Sequence, residues 1–323
     1  MKKKFFSRFT RLSRFTSLTS LLALAVVAQA NNPYIYTVYS YQPAPGQFIN
    51  VLSDPSVLIG ATGSTDHMLC LGAWGGEVVF GFDHPVLNLP DSMDFEVLGN
   101  YFASTIIDGR QTGSSEPGII WVSRDGNKNG EPDDPWYEIR GSEYDEETHD
   151  YSITYYQPQD TAADVMGIDS KGDTIWVKHN AFHAQTYYPR WLADSSYTLS
   201  GSLLPSNISG ITLYTLDYGY ADNAVNGTRA NYIDLDWAVD VNGTPVQLSQ
   251  IDFVKVQTGV SQDGGMMGET STEVTGARDL HPNAMTALDE TESGVKARTL
   301  LWNGRIFIQR SGHAYTISGV KVY

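Results

Sequence analysis

The chain has 323 residues with 41% hydrophobic and 12% aromatic side chains, and a formal charge of −16. Six of its 21 basic residues lie in the first 30 positions, which hold no Asp or Glu, so the remainder carries 15 basic against 37 acidic residues, a net −22. That charge excludes nucleic acid and anionic lipid as partners, and it fits an extracellular protein that meets cations readily.

Residues 1–30 read as a targeting segment. Lys2, Lys3, Lys4, Arg8, Arg11 and Arg14 form a basic stretch, Leu18 to Val27 is apolar, and Ala28-Gln-Ala30 is a small-x-small cleavage site. The mature chain is expected to begin at Asn31 and to be secreted or held at the cell surface. No Cys follows the cleavage site, so it is not expected to be a lipoprotein, and no later apolar run is long enough to span a bilayer. The single Cys70 lies in an apolar run and reads as a buried thiol, which leaves the fold without a disulfide.

Strand-like runs then follow one another between turn signals. They are Tyr34–Tyr41, Glu77–Phe82, Phe95–Leu98, Ile119–Ser123, Tyr151–Tyr156, Thr174–Lys178, Ile211–Leu216, Ile233–Val239, Phe253–Gln257 and Arg305–Gln309. Asn-Gly pairs at 226–227, 242–243 and 303–304 mark tight turns. No amphipathic helical period runs beyond about ten residues. Many short strands with Gly, Pro and Asn turns predict an all-β fold, a β-sandwich of jelly-roll type. Asp289–Gly294 is polar and breaks the pattern, dividing a sandwich domain (31–285) from a linker (286–294) and a short β-meander (295–323).

The segment from Asp125 to Asp134 carries the sharpest chemical signal. Oxygen-bearing side chains at alternating positions, with Gly130 where the backbone must turn, suit Ca2+. Asp125, Asn127 and Asn129 match the first half of the helix–loop–helix calcium signature, but its twelfth position is Trp136 rather than a bidentate Glu. A structural Ca2+ loop is expected, with Asp125, Asn127, Asn129 and Asp133 as ligands, the Glu131 carbonyl as another, and Asp134 as an alternative to Asp133. The competing reading is a solvated acidic turn.

Catalytic patterns are weaker. No Gly-x-Ser-x-Gly elbow occurs. His179 and His183 have an i,i+4 spacing but follow a strand and lack an intervening Glu, so loop packing is favoured over zinc. Glu116, Glu143, Asp222, Asp236 and Glu269 are all available to a two-carboxylate glycosidase, yet no spacing selects a pair. Asp234 and Asp236 alternate along an expected strand and should share one face.

Aromatic loops favour a binding module instead. Tyr187, Tyr188 and Trp191 cluster around Arg190, and Tyr218 and Tyr220 stand beside Asp222 and Asn223; Trp74 between small residues is a further candidate. Exposed, such groups stack on sugars or small molecules while acids and amides take hydroxyls. The competing reading for each is core packing, which is expected for Trp121 and Trp237.

Two resemblances extend this. Tyr41–Phe48, Gly72–Asp83, Asp94–Asn100, Glu116–Ser123, Trp136–Glu138, Gly141–Tyr144, Tyr218–Asn223, Asp234–Asp240, Ile251–Val256 and Gly268–Glu273 resemble secreted "cell surface" proteins of Bacteroidetes. The resemblance implies one β-sandwich unit of galactose-binding type over residues 34–282, and, because relatives are often encoded near cobalamin uptake systems, conceivable corrinoid capture. Leu301–Gly319 is similar to the C-terminal tails that sort proteins through the type IX route across the outer membrane. The expectation is a non-enzymatic surface protein binding a glycan or small molecule; the alternatives are a purely structural or adhesive component and a glycoside-active enzyme.

Overall fold

Alternation along the strand Gly118–Ser123 sets the layers. Ile120 and Val122 point into the largest core, while Ile119 and Trp121 point the other way, against Leu204, Leu216, Tyr220 and Val260. A strand buried on both faces belongs in the middle of a sheet, and this one does. In the computed structural model, which describes residues 31–286, 297–310, 313–316 and 321–322, it is part of a six-stranded antiparallel sheet. The spatial order is Thr37–Gln42, Glu77–Leu87, Gln250–Thr258, Gly118–Ser123, Trp136–Ile139 and Ala238–Val239. The expected targeting segment and most of the expected linker lie outside the described residues.

The protein is all-β, built from several antiparallel sheets in sandwich fashion. Against the main sheet lies a three-stranded one, Tyr232–Ile233, Phe95–Leu98 and Gly276–Asp279. Phe80, Val122, Val254 and Val256 from the first meet Phe95, Val97, Ile233 and Ala277 from the second. Each fully buried side chain of this kind contributes about 1.5–3 kcal/mol, so the core supplies the cohesion that a cross-link would otherwise give. Cys70 is buried and free, its Sγ 3.0 Å from the Ser271 hydroxyl. Among the described residues, the helical segments are single 3-10 turns and no helix is long and apolar enough to cross a membrane.

Two further sheets flank this sandwich. Thr174–Val177, Val165–Asp169, Thr148–Tyr156 and Ser196–Leu203 form one, with Tyr151, Ile153, Tyr155 and Leu199 beneath it. The other is Ile208–Ser209, Thr212–Tyr214, Arg110–Gly113 and Ala103–Ile107. The C-terminal meander pairs Met285–Thr286, Ala297–Trp302, Arg305–Arg310 and His313–Thr316. Its first long hairpin turns through Asn303 and Gly304, both at positive φ (48° and 71°), as a tight Asn-Gly hairpin requires. Leu300 is buried against Leu87 and Leu89, so the meander shares a small core with the rest of the chain.

One expected strand is broken. Residues 232–233 and 238–239 are extended, but Leu235–Trp237 forms a 3-10 turn. The Asp234 carboxylate accepts the Asp236 N–H at 2.9 Å and caps that turn, diverting the backbone from the sheet. Asp234 and Asp236 therefore do not share a strand face. Trp237 is partly buried against the main core, and Trp121 is buried.

Candidate ligand cavity and calcium loop

A cavity of about 530 Å3 opens between the sandwich and the sheet carrying Ala103–Ile107 and Arg110–Gly113. Its rim is apolar: Phe102, Ile211 and Met267 are exposed there, beside Phe48 and Leu213. Its floor is acidic and comes from distant segments. Glu116 precedes the strand Gly118–Ser123, Asn100 follows Phe95–Leu98, and Glu269, Ser271 and Glu273 lie on the run into Gly276–Asp279.

Glu116 and Glu273 line this floor and Asp222 lies buried behind it, with oxygens of the three carboxylates all within 4.8 Å of one another. Asp222 is held by the main chain, since Oδ1 accepts the N–H groups of Asn100 (2.9 Å) and Tyr101 (3.1 Å) and Oδ2 that of Glu273 (3.0 Å). Glu116 accepts the Ser271 N–H at 3.2 Å, and Asn100 Nδ2 donates to Glu273 at 3.3 Å. Burial, then the Glu273 charge, pushes Glu116 well up; burial, then Glu116, does the same to Asp222. Glu273 is pushed up to about 8 by burial and by Asp222, and Glu269 to about 7 chiefly by burial. Buried together, with the proton affinity of all three raised, this set reads as a proton-sharing structural cluster.

Three buried oxygens on the same floor have no hydrogen-bond partner among the described residues: Gln47 Oε1, Asn100 Oδ1 and Glu269 Oε2. Gln47 and Glu269 are each 6% exposed. Their other atoms are held, because Gln47 Nε2 donates to the Met267 carbonyl at 2.9 Å and Glu269 Oε1 accepts the Gln47 N–H at 2.6 Å. Buried acceptors without donors are costly unless something supplies a donor.

The Asp125–Asp134 loop joins the strands Gly118–Ser123 and Trp136–Ile139 and is mostly exposed. Asp125 Oδ1 accepts the Asn129 N–H (3.1 Å) and Oδ2 the Gly130 N–H (2.9 Å). Asn127 and Asn129 each accept the N–H two residues on, at 2.9 and 2.8 Å, and their amide nitrogens donate to Asp133. Asp134 accepts the Gly126 N–H at 2.9 Å, and the Glu131 carbonyl accepts that of Asp133. Lys128 and Gly130, at φ 60° and 78°, supply the two sharp turns. Asp252 on the main sheet anchors the loop through the Asp125 N–H at 2.8 Å. Both side-chain oxygens of Asp125 and those of Asn127 and Asn129 accept main-chain N–H groups of the loop itself; carboxylate and amide oxygens at these alternating positions are the ligand types that a hard cation such as Ca2+ takes.

The expected aromatic platform is corrected. Trp74, Tyr187 and Tyr188 are buried beneath the sheet that includes Thr148–Tyr156, in one cluster with Ala44 and Leu199, and Trp74 Nε1 donates to the Ser202 carbonyl. Tyr220 is buried against Ile119 and Leu216, and its hydroxyl accepts the Glu143 N–H at 2.9 Å. Asp222 and Asn223 are also fully buried; Asn223 ties Ser115 to both main-chain groups of Leu216. None of these six presents itself to a ligand. Large rings win more free energy in the core than in solvent, and here each found a polar partner for its N–H or O–H. Only Trp191 (49% exposed) and Tyr218 (41%) stay at the surface, packed on Tyr41 and Trp237 respectively.

Among the carboxylates left open by the sequence, Glu116 and Glu269 line the cavity and Asp222 is buried beside Glu116, whereas Asp236 accepts from Asn88 and Glu143 from Ser142 elsewhere. His179 stacks on Tyr187 and His183 on Phe48, so both serve loop packing. Missed from sequence were Gln47, Asn100 and Glu273. No protein-family model matches the chain, and no curated protein is similar to it.

Proposed function

We propose that the mature chain is a secreted or cell-surface binding protein, stabilised by Ca2+ at the Asp125–Asp134 loop, that captures a glycan or other donor-rich small molecule in the acidic cavity. The observation carrying this reading is the set of buried, partnerless oxygens of Gln47, Asn100 and Glu269 beneath an apolar rim. A ligand bearing hydroxyl or amine donors on one side and an apolar face on the other would complement that arrangement once a side-chain rotation turns these oxygens, each exposing less than 1 Å2, toward the cavity. The volume lies within the range of about 300–1,000 Å3 usual for small-ligand pockets, and a corrinoid would place only part of itself there. Binding is favoured over turnover because Asp222, the carboxylate nearest Glu116 and Glu273, is bound by three main-chain N–H groups. The basic and apolar leader, and the C-terminal run resembling a type IX sorting tail, support export.

A thermal-shift panel of hexoses, amino sugars, polyamines and cobalamin on the chain from Asn31 to Tyr323 tests the reading. One ligand class at a hundredfold excess over its Kd should raise Tm by about 5 °C, and the shift should vanish in Glu269→Gln. No shift with any class, or an undiminished shift in that variant, refutes it.

A further inference from the structure

The buried polar groups that line the acidic cavity lack one kind of partner. Gln47 Oε1, Asn100 Oδ1 and Glu269 Oε2 are all acceptors, and among the described residues no buried side-chain N–H or O–H of the lining is unpartnered. A sugar hydroxyl both donates and accepts, whereas an ammonium group has three donors and no acceptor. Glu116, Glu269 and Glu273 line the cavity, and among the described residues no Lys, Arg or His does. On the reading that the cavity captures a small molecule, on which this inference rests, we propose that the molecule is a primary amine with an apolar body, its ammonium held by Glu269, Gln47 and Asn100.

Two glycines make room for these acceptors. A Cβ at Gly46 would lie 2.6 Å from Glu269 Oε1, and one at Gly268 would lie 2.6 Å from Gln47 Nε2. With no side chain at either position, Glu269 Oε1 reaches the Gln47 N–H and Gln47 Nε2 reaches the Met267 carbonyl. The second oxygen of each side chain is the uncommitted one. Each such oxygen exposes less than 1 Å2, and a turn about the terminal side-chain torsion, which is soft in Asn, Gln and Glu, presents it to the cavity.

Charge and shape favour such an amine over a neutral donor. Burial pushes Glu269 up to about 7, and the Asp263 charge adds to the rise. Lys178 is engaged with Asp263 at 2.7 Å. A buried carboxylate without a cation is costly, and an ammonium supplies the charge together with the donors. At the rim, Phe102, Ile211 and Met267 are exposed beside Phe48. Covering apolar surface of this kind is favourable, and a hydrocarbon body covers it where a hexose does not.

Calorimetric titration of the full chain at pH 8 with n-octylamine, 1-octanol and glucose tests this. Octylamine should saturate at one equivalent and bind about tenfold or more tighter than octanol, which has the same tail without the charge, and than glucose. Glu269→Gln should weaken octylamine by about tenfold or more and leave octanol unchanged. The ligand comparison is made on the wild-type chain, so it decides the matter even where the variant unfolds. Octanol binding as tightly as octylamine, undiminished octylamine binding in Glu269→Gln, or no octylamine binding at all overturns the amine assignment. A hexose or cobalamin shift in the thermal panel that Glu269→Gln abolishes then leaves capture in the cavity standing, and its absence removes both.

Discussion

The Asp125–Asp134 loop and the Glu116–Asp222–Glu273 floor are both crowded with carboxylates, yet they relieve the repulsion by different means. In the loop, consecutive residues stay in solvent and are held by short-range bonds to their own main chain. At the floor, residues 51 or more positions apart are driven together by the core, and burial raises their proton affinity. An exposed acidic turn is open to a cation, whereas a buried one keeps protons and main-chain donors. On the proposed reading added metal stabilises the loop, and the floor loses stability as pH rises.

The largest expected contrast comes from removing one acid on each side. Asp222→Ala leaves three buried N–H groups without an acceptor and should cost about 3–5 kcal/mol in urea unfolding. Asp133→Ala, measured without Ca2+, should stay within about 0.5 kcal/mol. Ca2+ sharpens the comparison from the other direction. At a hundredfold excess over Kd it should add about 2.7 kcal/mol, and Asp125→Ala should abolish the gain while leaving the cavity's ligand response intact. If chelation changes neither melting nor protease sensitivity, the loop is only a solvated turn.

Acidity gives the next effect. Glu269 and Glu273 ordinarily titrate near 4.5 and are raised to about 7 and about 8 in the fold. Between those values the native state holds more protons than the unfolded chain, so stability is greatest below about pH 4.5 for these two groups and falls as pH rises through 7 and 8. In Ca2+-free buffer, unfolding at pH 5.5 should be harder than at pH 8.5 by about 5 kcal/mol; Glu273→Gln should flatten that slope, and an unchanged slope would show that other groups set it. The smallest effect belongs to Trp191→Ala. Its ring is half exposed, so ligand response should be unaffected and stability within about 0.5–1 kcal/mol of wild type.

How much of this was legible in the sequence follows from how local each determinant is. The loop chemistry sits in ten consecutive residues, and the Asn303-Gly304 hairpin in two, so both could be read directly. Short apolar runs such as Phe95–Leu98 and Ile119–Ser123, rich in β-branched and aromatic residues, were legible for the same reason. Weakly apolar strands were not: Ala103–Ile107, Arg110–Gly113 and Ser196–Leu203 are polar, partly exposed and held by their neighbours. Tyr187 and Tyr220 looked like surface aromatics because their flanks are polar, and no local pattern reveals that the sheets close over them. The cavity floor was out of reach for a different reason. Gln47, Asn100, Glu116 and Glu269 meet only through the register of long-range pairings, which carries no short-range signature.

The most direct test of the central claim uses methionine methyl groups as reporters. Met68 and Met267 line the cavity, whereas Met93 and Met166 lie on other elements. Methyl NMR spectra of Met-labelled protein, titrated with the panel ligand that raises Tm, should show the signals of Met68 and Met267 moving while those of Met93 and Met166 stay fixed. Movement confined to Met93 or Met166, or no movement at saturating ligand, would contradict capture in the acidic cavity.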